Sequence, residues 1–167
     1  MESFKKGVDY TGIGVVFACH DGKGNFLFAK RGKGARDGHG LWELPAGGLD
    51  YGETVEEGMK RELKEELGIA SLHVAYIGYR DLIAKEGVQV VKHWIAFDFL
   101  VEVDPAKVQI AEPESCETIE WHTIDDVPGA LHHGVDGTIA NIAAWRPGAS
   151  SKPTPIARKS RPATATR

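Results

Sequence analysis

A chain of 167 residues with 42% hydrophobic and 26% charged residues is long enough for one globular domain with a sizeable core, and too short for two. Its first ten residues, MESFKKGVDY, lack the apolar run of a signal peptide, and no stretch reaches the length of a membrane span. The whole chain carries −4 and residues 147–167 carry +5, so residues 1–146 carry −9, which argues against a nucleic-acid duplex as partner.

The two cysteines, Cys19 and Cys116, show neither a CxxC pair nor the Cys/His spacing of a zinc site. This cysteine usage argues against a disulfide framework and favours a reducing, cytoplasmic location. We expect both thiols to be structural or incidental.

The first elements are two strands that form a hairpin. Residues 11–20 are apolar and rich in β-branched side chains, residues 21–24 have turn composition, and residues 25–31 form the second strand. The following segment, GKGARDGHG at 32–40, lacks the spacing of a Walker phosphate loop. We interpret it as a loop at the mouth of a pocket.

The next segment leads into the first helix. Residues 41–44 form a short strand, and Gly47 and Gly48 allow a close approach of the backbone. Thr54 is the predicted N-cap, with Glu57 completing a capping box, and the helix ends near Leu67 with Gly68 as its C′ residue.

At roughly 100° per residue, the apolar side chains of this helix form one stripe that faces a core. The stripe consists of Val55, Met59, Leu63 and Leu67. Glu62 and Glu66 lie on or beside the stripe, with Glu65 next to Glu62, rather than on the opposite, solvated face. Because crowded carboxylates on the protein side need a positive partner, a hard divalent cation is the simplest explanation.

The second half of the chain adds strands and a closing helix. Strands are expected at 71–83, 88–103 and 118–123, an acidic loop at 111–117, and a helix at 135–145. One face of the 88–103 strand is apolar, and the other is mixed and suited to line a cleft: Lys92, Trp94, Ala96 and Asp98. Residues 147–167, rich in Pro, Ser, Thr, Ala and basic residues, are predicted to be a disordered tail. Mixed strands and helices indicate an α/β sandwich with a mixed sheet.

The segment from Gly47 to Ile69, GGLDYGETVEEGMKRELKEELGI, resembles the signature box of the Nudix hydrolases and departs from it at no defining position. The lead-in WELPAGG is also similar, although Ala46 stands where glycine is common. The order of elements follows the MutT-like branch over roughly residues 8–146. The resemblance implies a Nudix-type α/β/α sandwich over residues 1–146, with a mixed β-sheet and the acid-bearing helix packed on it.

The resemblance also implies hydrolysis of a nucleoside diphosphate linked to another group, with Mg²⁺ or Mn²⁺ as cofactor. It assigns metal binding to Glu62, Glu65, Glu66 and the Gly47 carbonyl. Arg61 is expected to hold Glu62 in place, and Glu53 to support the loop or an additional metal. Glu62 is our choice for the combined role of metal ligand and activator of water.

Residues outside the box are assigned by the same resemblance. A glutamate of the distal loop serves as base or metal ligand in some relatives; here Glu114 and Glu117 are the candidates, with Glu112 ranked below them, and each has a solvated loop acid as its alternative. Arg31 is expected on the substrate phosphates, with a surface arginine as the alternative. Trp42, Glu43 and Trp94 are candidates for contacts with a base, and core packing is the favoured alternative for the two tryptophans.

Two markers of other subgroups are missing downstream of the box. No proline occurs between Pro45 and Pro105, and the tyrosine of the dinucleoside polyphosphate group is absent at 85–87. The sequence thus favours a (d)NTP pyrophosphatase that releases NMP and pyrophosphate, with an ADP-ribose or NDP-sugar pyrophosphatase as the alternative.

Two readings from other classes are less favoured. A catalytically inactive Nudix-like module typically loses box glutamates, whereas this chain keeps them all. An isopentenyl-diphosphate isomerase would need a catalytic cysteine, and neither Cys19 nor Cys116 has that context. The expected partner is a small nucleotide substrate, without a membrane, and a homodimer is compatible with the family.

Overall fold

The computed structural model describes residues 4–70 and 73–145, so the predicted tail at 147–167 lies outside the described residues. The strands are β1 (Gly12–His20), β2 (Phe26–Arg31), β3 (Trp42–Glu43), β4 (Ala46–Gly48), β5 (His73–Glu86), β6 (Gln89–Glu102) and β7 (Cys116–His122). The helices are α1 (Val55–Leu67) and α2 (Val135–Ala144), with a 3₁₀ turn at Pro105–Lys107.

A single mixed sheet contains all seven strands. The main path runs β3-β2-β1-β6-β5, β4 pairs with β1, and β7 pairs with β2. The β1–β6 pair is parallel, from Gly12 opposite Trp94 to His20 opposite Glu102, and the other pairs are antiparallel. Strand β1 lies inside the sheet because it pairs with both β6 and β4. This position explains why the sequence of β1 is an almost continuous apolar run.

The two faces of β1 belong to two separate cores. Val15, Phe17 and Cys19 pack with the apolar side of α1, whereas Val16 and Ala18 pack with the side covered by α2. Because successive side chains of a strand point to opposite faces, one helix lies on each side of the sheet. The predicted α/β/α sandwich is confirmed.

Helix α1 begins and ends as its sequence predicts. The backbone N–H of Glu57 donates to Thr54 Oγ1 at 3.2 Å, and the backbone N–H of Thr54 donates to Glu57 Oε2 at 2.8 Å. Gly68 ends the helix with a left-handed φ of 67°. Met59 and Leu63 are buried on the sheet, and this orientation determines which flank of the helix carries the acids.

The opposite helix is tied to the sheet through a buried carboxylate. Asp98 on β6 is fully buried and accepts hydrogen bonds from Arg80 Nε (3.1 Å), Thr138 Oγ1 (3.1 Å) and Asn141 Nδ2 (2.7 Å). The sequence had suggested that Asp98 lines a cleft. In the structure it lies beneath α2 instead. The other three residues of that mixed face, Lys92, Trp94 and Ala96, do line a cavity.

Among the described residues, neither helix has the length and apolar character that crossing a bilayer requires.

Replacing Asp98 with alanine should leave the Arg80 guanidinium buried without its carboxylate. We expect the free energy of unfolding to fall by about 3–5 kcal/mol, as for other broken buried ion pairs. Urea titration followed by tryptophan fluorescence measures this change. The matched control is Asp81→Ala on β5, where the carboxylate is half-exposed and lies 3.5 Å from His93; a loss of about 0.5 kcal/mol or less is expected there. Equal losses in the two variants would contradict a special role for Asp98.

Candidate active site

The carboxylate of Glu62 lies directly against the backbone of Gly47. A Cβ atom added to Gly47 would stand 1.9 Å from Cδ of Glu62, far inside van der Waals contact. Gly47 belongs to β4, which pairs with β1, and Glu62 projects from the flank of α1 beside its buried stripe. A side chain at position 47 would therefore displace the Glu62 carboxylate, and the glycine lets the acid helix contact the strand backbone.

Arg61 contacts both the loop before α1 and the glutamates on the helix. Its Nε and Nη2 donate to the two carboxylate oxygens of Glu53 at 2.7 and 2.8 Å, and Nη2 also donates to the Gly48 carbonyl at 3.0 Å. Its Nη1 lies 2.9 Å from both Glu62 and Glu65. The structure therefore brings together Arg61, Glu53 and Glu62, whose catalytic roles stay predictions.

Glu62 and Glu66, called the inner glutamates below, lie where positive groups do not fully compensate two carboxylate charges. Burial raises the pKa of Glu62 despite its ion pair with Arg61. Burial, together with the nearby charges of Glu62, Glu43 and Glu112, raises the pKa of Glu66 well above its ordinary value, despite a backbone hydrogen bond from Ala46. A cation placed here would favour the ionised form of both carboxylates.

The donor set suits a hard divalent cation that keeps several waters. Within residues 4–70 and 73–145, no three Asp, Glu, His or Cys side chains already stand as a metal cage. The Glu65 carboxylate is half-exposed and engaged by Arg61, whereas Glu62 is 13% exposed and faces the same cavity as Glu66. Because Mg²⁺ is commonly held by one or two carboxylates plus water and substrate phosphate, Glu62 and Glu66 beside the Gly47 backbone fit such an ion.

Acidic and basic side chains together line a cavity of about 570 Å³, and the two sets meet at the ion pair between Arg31 and Glu43. The acidic set, called the acidic side below, consists of Glu62, Glu66, Glu43 and Glu112. The basic set, called the basic side, consists of Arg31, Arg36, Lys92 and His132. The volume lies in the range of pockets for small ligands, and this division of charge suits an anionic ligand held beside a cation.

The distal acidic loop contributes a different residue from those ranked first. Glu112 lines the cavity, and the backbone N–H groups of Ser115 and Cys116 donate to its carbonyl in the turn that positions it. Glu114 is exposed, and Glu117 forms an ion pair with Lys30 at 2.9 Å. Neither Glu114 nor Glu117 lines the cavity, so Glu112 is the one of the three that is placed beside a ligand bound there, and the role of each stays a prediction.

The candidate substrate residues divide into two groups. Arg31, Glu43 and Trp94 line the cavity, and Nη1 of Arg31 donates to both carboxylate oxygens of Glu43 at 2.6 and 2.5 Å. Trp42 is 8% exposed and belongs to the core beneath α2, which is the packing alternative stated above.

Sequence reasoning assigned no role to four residues of the basic side and its approach. Lys92 had been placed on the cleft-facing side of its strand, without a function. Arg36, Asp37 and His132 lie in irregular segments. Such segments have no periodic pattern that would predict which way a side chain points. The guanidinium carbon of Arg36 lies 5.3 Å from the centre of the Trp94 ring, so the glycine-rich loop packs over the cavity.

The Glu53–Arg61 pair predicts a pH-dependent contribution to stability. Hydrogen bonds from Arg61 and from the Asp50 backbone lower the pKa of Glu53 from 4.5 to about 2. Because the folded-state pKa is depressed, the contribution is present above pH 4.5 and is lost as the pH falls through about 2. Wild type should therefore exceed Glu53→Gln in stability by a constant amount at neutral pH and by a shrinking amount in acid.

Urea titrations of both proteins from pH 7 to pH 2 measure this difference. In an Arg61→Met background the pH-dependent part should shrink to the share that the Asp50 backbone hydrogen bond supplies. A difference that does not change with pH in the wild-type background would contradict the assignment.

Comparison with known proteins identifies the family. A model of the NUDIX domain matches residues 11–145. The Nudix hydrolase YvcI of Bacillus subtilis is 30% identical over 103 residues, which are 62% of this chain and 64% of the relative. An RNA pyrophosphohydrolase of Acinetobacter baylyi is 40% identical over 65 residues, 39% of this chain and 35% of that protein.

Solved structures agree with this result. The crystal structure of a MutT NUDIX hydrolase from Burkholderia pseudomallei superposes with a TM-score of 0.70 at 28% identity, covering 80% of this chain and 98% of that one. The matches to the two curated relatives above span less than two thirds of the length of each. With a family match over most of its length and the predicted sandwich in place, the chain belongs to the Nudix family.

Proposed function

We propose that this protein is a divalent-cation-dependent hydrolase that cleaves the pyrophosphate linkage of nucleoside diphosphate derivatives. The observation that carries this proposal is the pair of shielded carboxylates in one cavity that basic side chains also line: Glu62 lies against the Gly47 backbone, and Glu66 accepts a hydrogen bond from the Ala46 backbone. Family membership supports the same reaction class.

The reaction adds water across a P–O–P bond. The oxygen of water attacks one phosphorus in line with the bridging oxygen, the P–O bond breaks, and the second phosphate group leaves with the electron pair. A bound Mg²⁺ or Mn²⁺ would neutralise phosphate oxygens and lower the pKa of the attacking water.

The chain itself supplies positioning and a proton acceptor. Glu62 and Glu66 hold the cation, with Glu65 and the Gly47 carbonyl as further candidate ligands. Arg61 keeps Glu62 in place and is itself fastened by Glu53. Glu62 is the proposed acceptor of the proton from water, and Glu112 is the second candidate because it lines the same cavity.

Nucleoside triphosphates are the proposed substrates, with release of NMP and pyrophosphate. The missing proline and tyrosine markers downstream of the box support this preference, and the basic side of the cavity offers room for additional phosphates. ADP-ribose and NDP-sugars are the alternative. The RNA pyrophosphohydrolase name of one relative adds a triphosphate at an RNA 5′ end as a further compound to test.

A substrate panel with product identification tests the proposal. The compounds are the eight (d)NTPs, ADP-ribose, NDP-sugars and a short RNA with a 5′-triphosphate, each with Mg²⁺, with Mn²⁺ and with EDTA. We expect release of pyrophosphate from at least one NTP, only with metal. Release of AMP and ribose phosphate from ADP-ribose, without NTP turnover, would favour the alternative substrate class. No turnover of any compound would overturn the proposal that the protein is an enzyme.

Removing either inner carboxylate should abolish most activity. For Glu62→Gln we expect kcat/KM to fall by about 10²–10⁴-fold, the range associated with loss of a positioned proton acceptor. Glu66→Gln should also lower kcat/KM strongly, because it removes a proposed ligand of the cation. The matched control is Glu56→Gln on the exposed face of α1, where the carboxylate pairs with Lys60. If Glu62→Gln and Glu66→Gln retain the activity of the control, the inner glutamates do not form the site.

The two adjacent glycines of β4 should respond differently to alanine. Gly47→Ala displaces the Glu62 carboxylate, and we expect a loss of about 10²-fold in kcat/KM from misplacement of a reacting group. A Cβ at Gly48 meets Lys6 and Trp94 at an ordinary 3.6 Å, so Gly48→Ala should lose far less. Steady-state kinetics, with circular dichroism to confirm folding, measures both. Equal losses would show that contact with Glu62 is not the reason for Gly47.

A further inference from the structure

A lysine, an arginine and a histidine side chain from different parts of the chain meet at one carboxylate on the basic side of the cavity. Lys92 Nζ of β6 lies 2.5 Å from Oδ2 of Asp37. Nη2 of Arg31, the last residue of β2, lies 3.1 Å from Oδ1, and Nε2 of His132, in the segment before α2, lies 3.0 Å from the same oxygen. The sheet and the segment before α2 thus place all three groups around one point.

Asp37 differs from its partners in where it comes from. It belongs to the glycine-rich loop 32–40, whereas Arg31 and Lys92 belong to strands of the sheet. Its side chain is 41% exposed, against 14% for Arg31, 21% for His132 and 34% for Lys92. Arg31 and His132 are the embedded part of the cluster, and the carboxylate of Asp37 reaches them from a more exposed position.

The carboxylate is anionic at neutral pH. Burial alone would raise the pKa of Asp37, but hydrogen bonds and charge from Lys92 and His132 outweigh it and lower the pKa to about 2. Arg31 also donates through Nε to the Asp37 carbonyl at 2.7 Å. Asp37 is therefore held both through its carboxylate and through its backbone carbonyl.

A phosphate group has the chemistry to replace this carboxylate. Its oxygens accept hydrogen bonds from the planar arginine fork and from the lysine ammonium, as a carboxylate does. The cluster also borders the acidic side, since Arg31 pairs with Glu43 and the charge of Glu43 acts on Glu66. A phosphate held here belongs to a ligand that reaches the inner glutamates.

We propose that Arg31, Lys92 and His132 form a phosphate subsite and that Asp37 occupies it when no ligand is bound, leaving when a phosphate group arrives. The proposal rests on the proposed function only for the identity of the full substrate. Withdrawal of Asp37 breaks its contacts with these three side chains, and the carboxylate regains water in exchange, since it is already 41% exposed. Gly38, with φ of 61°, follows it and lets the backbone change direction there.

A different role for Asp37 would be to fasten the loop over the cavity. Gly38 packs so closely on His132 that an added Cβ would lie 2.4 Å from the ring, which shows how near the loop comes. The two roles predict opposite effects of removing the charge. A fastener supports ligand binding, so its loss weakens binding, whereas an internal occupant competes with the ligand, so its loss strengthens binding.

Binding of inorganic pyrophosphate in EDTA, measured by isothermal titration calorimetry on the full chain, separates these roles. For Asp37→Asn we expect the dissociation constant to fall by about five-fold, the order expected for one partly exposed charge pair. The matched control is Asp126→Asn, an exposed loop aspartate outside the cavity that changes the net charge equally. Its affinity should equal that of wild type.

A second variant pair tests the subsite itself. Lys92→Gln added to Asp37→Asn should cancel the gain in affinity, because the replaced cation forms part of the subsite. Unchanged or weaker binding by Asp37→Asn, or an equal gain in Asp126→Asn, would overturn the proposal. This test and the substrate panel can fail independently. Turnover of a substrate without tighter pyrophosphate binding by Asp37→Asn would contradict the subsite alone. Tighter binding without turnover of any substrate would contradict the hydrolase alone.

Discussion

The contact between Glu62 and the Gly47 backbone is the constraint on which the site depends. Helix α1 must bury Met59, Leu63 and Leu67 on the sheet, and this requirement turns Glu62 and Glu66 toward β4 rather than toward water. Any side chain at position 47 would occupy the space of the carboxylate. The burial that stabilises the fold therefore also concentrates negative charge at one edge of the cavity.

Internal counterions partly balance both sides of the cavity in the described chain. Arg61 neutralises part of the acidic side and is anchored by Glu53, while Asp37 neutralises part of the basic side from the glycine-rich loop. Of the two, Arg61 is the less exposed, at 26% against 41% for Asp37. The exposure of Asp37 and its place in a loop are the physical basis for assigning it the position of a ligand group.

Local sequence signals predicted the parts of the fold that local forces govern. The capping box at Thr54, the glycine at position 68 and the apolar stripe of α1 each depend on neighbours within a few residues, and each was found where expected. Asp98 was misplaced because alternation along a strand tells which side a residue faces, but not whether a helix covers that side. Glu112, ranked below Glu114 and Glu117, lines the cavity, and its place depends on a turn at 112–116 that no periodic pattern predicts.

The sequence by itself determined the helix that presents the acids, because its periodicity and capping are local to one segment. A dense motif in the same segment carried the resemblance that implied the family and the three-layer sandwich. Only the tertiary structure decided which residues meet across the cavity. Arg31, Lys92 and His132 are far apart along the chain and come together through strand pairing and the packing of α2. Such contacts depend on the register of a whole sheet, and no local pattern records them.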